Sequence, residues 1–234
     1  TTMKEACETL ALIESYLVRR AVCERGTQGL HALFKMMWKE QEELAEEDDA
    51  LTLDERVTQL LKQKIGTHPW PDNDTFKNSL WSGDIYNQRK VCRFLLEEWE
   101  DKQSPNPNLA ISESYEIEHI YPQTSEGITY WDTHFHTSKK RDEEAKEEEI
   151  EAKKKHLHRI GNLTILTPRD NVVGKNDDWP KKKIIYKNDT PFFSPTEICT
   201  WMETKKYVDW TPEVIQERTE IIADWALGKW THSP

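Results

Sequence analysis

The stretch YEIEHIYPQ, residues 115–123, sets a carboxylate and an imidazole side by side, Glu118 and His119, at the end of a short β-rich run that closes on Pro122. Neighbours on a strand point to opposite faces. A buried structural pair sits more naturally two residues apart. Adjacent Glu and His at a strand end instead suit two groups that reach one ion, or one reactive water, from different sides. Working outward, IGNLTILT (160–167) is a second β-rich run, and NVVGKNDDWPKKKIIY (171–186) reads as a short helix limited by Gly174 and Pro180. Between the two strands lies a charged insertion, about 122–158, ending in KKRDEEAKEEEIEAKKKH.

A two-strand ribbon packed on a helix brings four polar residues together: Glu118 and His119 at the end of the first strand, Asn162 at the start of the second, and Asn171 at the start of the helix. The Glu118 carboxylate and the Asn171 amide oxygen make a hard oxygen-donor set suited to Mg²⁺, which keeps several waters and accepts substrate phosphate. An uncommitted histidine beside such a site has a reference pKa suited to a general base. Each residue also has a plainer reading: a structural histidine, a turn residue after Gly161, a helix N-cap at Asn171. The pairs HFH (134–136) and HLH (156–158) look like transition-metal ligands, but no cysteine or third spaced partner completes a zinc site. His158, just before IGNLT, is placed to sit near a phosphate.

Taken together, IEHIYPQ and HRIGNLTILTPRDNVVGKNDDWPKKK resemble the HNH, or His-Me finger, nuclease motif. They look most like the version at the C-terminal end of GmrSD-type modification-dependent restriction enzymes. The nine-residue step from Asn162 to Asn171 is part of that likeness, and IESYLVRRAVC (13–23) is similar to the helical portion that precedes the motif in that family. The resemblance implies a ββα-metal core embedded in helices. It implies His119 as the base that deprotonates the attacking water, Glu118 and Asn171 as ligands of Mg²⁺ (with Mn²⁺ as a substitute), and Asn162 as the residue that braces the loop orienting His119. Related nucleases often carry Asp where this chain has Glu118, whose extra methylene moves the carboxylate outward. The implied activity is hydrolysis of double-stranded DNA to 3′-hydroxyl and 5′-phosphate ends, in defence against foreign or modified DNA.

The 234 residues are 32% charged, with net charge −11, and mean hydropathy is −0.85. No apolar run approaches the roughly 20 residues of a membrane span, and no signal peptide opens the chain. Four scattered cysteines without a C-x-x-C fit a reducing cytoplasm. The opening reads at once as helix, which suggests a piece of a longer protein. No nucleotide-binding loop is present, so an N-terminal sensor or nucleotide-hydrolysing domain is expected outside this sequence. Despite the acidic total, residues 153–187 hold ten basic against three acidic side chains. Within this island Arg159, Arg169, Lys175, Lys181, Lys182 and Lys183 are the candidate phosphate contacts.

The fold expected is α+β and mainly helical. Residues 1–103 form a helical region, 104–114 a linker, 115–187 the nuclease core with its insertion, and 188–234 C-terminal helices packing on the core. In the first helix Leu10, Ile13, Leu17 and Ala21 share a face, and in the second Leu30, Leu33, Phe34, Met37 and Trp38 do so. Thr52 and Glu55 form a capping box before a helix that stops at Gly66. Asp84 is a plausible N-cap for a stripe of Val91, Leu95 and Trp99. Ser194–Pro195 and Thr211–Pro212 mark two more helix starts. Two other functions compete with the nuclease: a nucleic-acid-binding module with a degenerate site, and a helical interaction scaffold.

Overall fold

A computed structural model describes residues 2–48, 50–63, 68–104, 114–125, 127–135, 151, 153–188 and 190–232. Nearly all of the expected linker, residues 126, 136–150 and 152 of the charged insertion (His136 among them), and the stop at Gly66 lie outside the described residues. The described chain is mainly helical around one two-stranded sheet. It divides into two compact units: residues 1–79 with 223–234, and residues 80–222.

In the first unit, α1 (Met3–Val22), α2 (Leu30–Glu47) and α3 (Leu53–Gln63) share a core of Leu12, Tyr16, Leu33, Met37, Val57 and Leu61. The capping box forms: Thr52 N donates to Glu55 Oε2 at 2.8 Å and Glu55 N to Thr52 Oγ1 at 3.4 Å. The buried stripe of α1 differs from the expected one. Leu10 and Leu17 are exposed, and Leu12, Tyr16, Arg19 and Arg20 point inward. Both arginines are buried because backbone carbonyls receive them. Arg19 donates to Trp230 O at 2.6 Å and Pro71 O at 3.1 Å, and Arg20 to Pro69 O at 3.0 Å and Gly26 O at 2.7 Å. A periodicity that counts only apolar residues does not register such a face. Trp38, expected on the α2 stripe, is also exposed.

The second unit holds α5 (Arg89–Gln103), which follows α4 (Asn73–Ser82), then β1 (Glu116–His119), α6 (Thr129–Phe135) and β2 (Leu163–Leu166). After them come α7 (Pro168–Gly174), α8 (Trp179–Asn188), α9 (Phe193–Lys205) and the start of α10 (Pro212–Lys229). β1 and β2 pair antiparallel, with Glu118 opposite Thr164 and His119 opposite Leu163. Every residue of β2 is buried, and the core behind it includes Ile120, Trp131, Leu166, Trp179, Tyr186, Ile198, Trp210 and Ile215.

Several helix starts fall elsewhere than expected, each for a local reason. Asp84 does not cap α5; its Oδ1 accepts Asn87 N at 3.3 Å, and the helix begins at Arg89. The helix expected after β2 is two helices: Thr167 caps α7 by accepting Asp170 N at 3.1 Å, and Pro180 sits in the first turn of α8. Asn171 is therefore inside α7 rather than its cap. At α9 the buried Glu100 takes the capping part expected of Ser194, accepting Phe193 N at 2.5 Å and Ser194 N at 2.7 Å. A carboxylate there satisfies orphan amides and suits the positive helix end. Thr211 does cap α10, through Val214 N at 3.4 Å.

Gly161 is fixed by a close approach. A Cβ there would lie 2.3 Å from Ile215 O and 2.6 Å from Thr219 N, so only glycine lets the turn before β2 rest on the backbone of α10.

Candidate active site

β1 delivers Glu118 and His119 to the floor of an open cavity of about 560 Å³, and α7 brings Asn171 and the following Lys175 to the same cavity. Three of the four residues singled out from the motif thus share one space. The fourth, Asn162, lies fully buried behind it. Its Oδ1 accepts Tyr121 N at 2.8 Å and Trp210 Nε1 at 3.1 Å. Its Nδ2 donates to Tyr121 O at 3.0 Å and Leu157 O at 2.9 Å. All four hydrogen-bonding capacities of the amide are used. They clamp the segment that leaves His119, and Ile120 N adds a bond to Asn162 O at 3.0 Å.

His119 is 5% exposed. Its Nδ1 accepts from Gln123 Nε2 at 3.2 Å, and its Nε2 lies 3.1 Å from His158 Nδ1. With Nδ1 accepting, the proton resides on Nε2 and is shared with His158. Tyr86 completes the cage: its ring meets His119 edge-on at 4.2 Å and stacks on His158 at 5.0 Å. Its N donates to His158 O at 3.2 Å. Burial, and then the fields of His158, Lys182 and Arg89, lower the His119 imidazole from 6.5 to about 3. The ring is therefore neutral near pH 7, the form a general base requires.

Glu118 is buried and faces Lys182, whose Nζ lies 2.5 Å from Oε1 and 2.7 Å from His119 O; Tyr186 OH lies 3.3 Å from the same carboxylate oxygen. Burial raises the Glu118 carboxyl and lowers the Lys182 ammonium, while each partner's charge opposes the other's shift. Asn171 donates from Nδ2 to Glu116 Oε2 at 2.6 Å, which commits the amide nitrogen and turns its oxygen to other uses. Glu118, the Asn171 oxygen and the exposed Glu116 give a donor set of hard oxygens. That set fits Mg²⁺ or Mn²⁺ and not a thiolate- or imidazole-seeking metal. Among the described residues no group of three or more His, Cys, Asp and Glu side chains gathers as a metal site. His134 lies 3.6 Å from Asp209, and His156 is buried, so neither joins one.

The basic island splits. Lys182 is fully buried and Arg159 is 4% exposed beneath Trp81, its Cζ 5.7 Å from that ring. Neither reaches a phosphate on the surface, and the binding role expected of both is corrected on that ground. Lys181 pairs with Asp177 at 3.0 Å and Lys183 with Glu203 at 3.2 Å. Arg169 and Lys175 are exposed, and of the six only Lys175 lines the cavity. Sequence reasoning missed Tyr86, Arg89, Arg93 and Glu116, all on the cavity wall. The i, i+4 spacing of Arg89 and Arg93 was legible, as was the shared strand face of Glu116 and Glu118.

No helix among the described residues is long and apolar enough to cross a membrane, and all four cysteines are free. Comparison with curated proteins and with solved structures finds no match. A family model, GmrSD restriction endonucleases, C-terminal domain, matches residues 70–225 and spans the cavity and the helices around it. The chain belongs to the GmrSD restriction endonuclease C-terminal domain family.

Proposed function

We propose that this chain is an HNH-type DNA endonuclease with a ββα-metal core, dependent on Mg²⁺ or Mn²⁺, and the effector part of a cytoplasmic restriction system. One observation carries the reading: a neutral, buried imidazole, His119, opens on the same cavity as Glu118 and Asn171, on an antiparallel strand pair followed directly by a helix. Family membership supports double-stranded DNA as substrate. Target selection then belongs to a sensor domain outside this sequence.

The contacts support a mechanism with His119 as base. Gln123 is exposed and has a second partner, Tyr86 OH at 3.2 Å. When it turns away, His119 Nδ1 is free to accept a proton from the attacking water. His119 Nε2–H remains on His158, which fixes the ring plane and offsets the positive charge that develops. Asn162 holds the backbone beyond His119 so that the ring keeps its direction. Glu118 and Asn171, with Glu116 beside them, are the residues that would hold a metal ion. When bound, the ion stabilises negative charge growing on the phosphate and the departing 3′ oxygen. Lys182 and Tyr186 both engage Glu118 Oε1 and keep the carboxylate in place.

A binding module without catalysis is favoured by one observation, the engagement of both His119 nitrogens and of Glu118 Oε1 by protein partners. Incubating the purified chain with supercoiled plasmid, with and without Mg²⁺ or Mn²⁺, separates the readings. Metal-dependent conversion to nicked or linear DNA is expected, and intact plasmid under all metals would overturn the nuclease reading.

A further inference from the structure

We infer that Arg89 and Arg93 form a clamp for successive backbone phosphates of the DNA strand entering the cavity, an inference that rests on the nuclease reading above. They stand four residues apart on α5, one turn along the same face, with a rise between them of about 6 Å. Both are exposed and both line the cavity that holds His119 and Asn171. Each guanidinium is seated on an aromatic ring: Arg89 Cζ is 3.8 Å from the Tyr86 centroid and Arg93 Cζ is 4.5 Å from that of Tyr115. Each ring face holds its guanidinium in place by a cation–π contact, and the guanidinium is the group suited to bidentate phosphate contacts.

The mounting connects the clamp to the chemistry. Tyr86 carries Arg89 on its ring and also cages His119 and His158. A phosphate on Arg89 is thereby placed at a fixed remove from the base. The surrounding charge agrees. The first turn of α5 contains no acidic residue, and its N-cap Gln88 makes no side-chain cap, so the positive helix end adds to the arginines. Of the two carboxylates in the cavity, Glu118 is neutralised by Lys182, and Glu116 is bonded to Asn171. Lys175 adds a third cation to the cavity lining. A doubly charged strand fits two cations one turn apart better than a single small anion does.

The test is fluorescence anisotropy with a short labelled duplex, over a salt series in a chelator so that no cleavage occurs. The Arg89→Gln/Arg93→Gln variant is expected to bind at least about tenfold more weakly at low salt, whatever the sequence. Its log–log salt slope is expected to be smaller by about 1.8, two contacts at about 0.9 each. Arg89→Lys/Arg93→Lys keeps the charges and is expected to keep the slope, and millimolar inorganic phosphate is expected not to displace the duplex. Should loss of Arg93 disturb folding through Tyr115, Arg89→Gln alone, at the exposed helix start, is expected to lower the slope by about 0.9. An unchanged affinity and slope in the Gln variants, or no duplex binding by the wild type, overturns the clamp. A slope change in the Gln variants beside wild-type protein that never cuts plasmid with Mg²⁺ or Mn²⁺ supports the clamp and removes the nuclease reading.

Discussion

Lys182 Nζ lies 2.5 Å from Glu118 Oε1, and both side chains are closed to solvent. The pair ties α8 to the end of β1, and the second bond of Lys182, to His119 O, fixes the peptide that carries the proposed base. Breaking one partner of a buried ion pair leaves the other charge uncompensated, at a cost of about 3–5 kcal/mol. Lys182→Met is expected to lose stability on that scale in urea denaturation. Adding Glu118→Gln to Lys182→Met is expected to restore much of it, a coupling read from the double-mutant cycle. Additive losses would show that the two side chains do not act as a pair.

Asn162 gives a second prediction, with a readout in both stability and turnover. Asn162→Ala removes four hydrogen bonds and strands Tyr121 N and O, Leu157 O and Trp210 Nε1 in the interior. Each buried group left unpaired costs about 1–3 kcal/mol, less where a neighbour or water takes it up. A large stability loss is expected, with kcat of the surviving folded protein falling more than KM rises if the buried side chain serves to orient the proposed base rather than to bind substrate. A variant that changes only KM would place Asn162 in binding.

The acid side of the stability profile is a third. His156 is buried, its Nδ1 has no partner among the described residues, and burial, then Arg159 and Lys155, lower it from 6.5 to about 4, with Glu213 opposing. The unfolded chain takes up this proton first as pH falls. The stability from the neutral ring is therefore complete above about pH 6.5 and is lost on descending towards about pH 4. His156→Gln is expected to flatten the fall of the urea midpoint across that window, with His119, His158 and His232, all lowered by burial, adding to the remaining slope. A profile as steep as the wild type's would contradict the assignment.

The surface lysines supply a fourth. Lys175, on the cavity wall, is expected to matter more for DNA than Lys181, whose ammonium is already held by Asp177. Lys175→Gln should reduce the anisotropy salt slope by about 0.9 and Lys181→Gln by much less. Equal effects would place both on the DNA path.

These positions also show what the sequence makes legible. The spacing of Glu118, His119, Asn162 and Asn171 follows from local rules, strand ends and a helix start, and the cavity holds three of the four. Family membership was readable from the same residues. The fate of charges was not. Lys181, Lys182 and Lys183 look alike in a row, yet successive helix residues turn by about 100°, so only the middle one enters the core. Its acceptor, Glu118, is 64 residues away in the chain. Arg19 and Arg20 are buried for the same reason, with acceptors on remote carbonyls. The wall formed by Tyr86, Arg89 and Arg93 comes from a turn and the start of a helix that hydrophobic periodicity reads only as core.

The central claim is that His119 is the base of a DNA-cutting site. The direct measurement is cleavage of supercoiled plasmid by His119→Ala beside wild type in Mg²⁺ or Mn²⁺, with duplex binding measured on the same preparations. The expected result is a fall in cleavage of about 10²–10⁴-fold, the usual worth of a positioned base, with binding unchanged. Cleavage by His119→Ala at the wild-type rate would contradict the account.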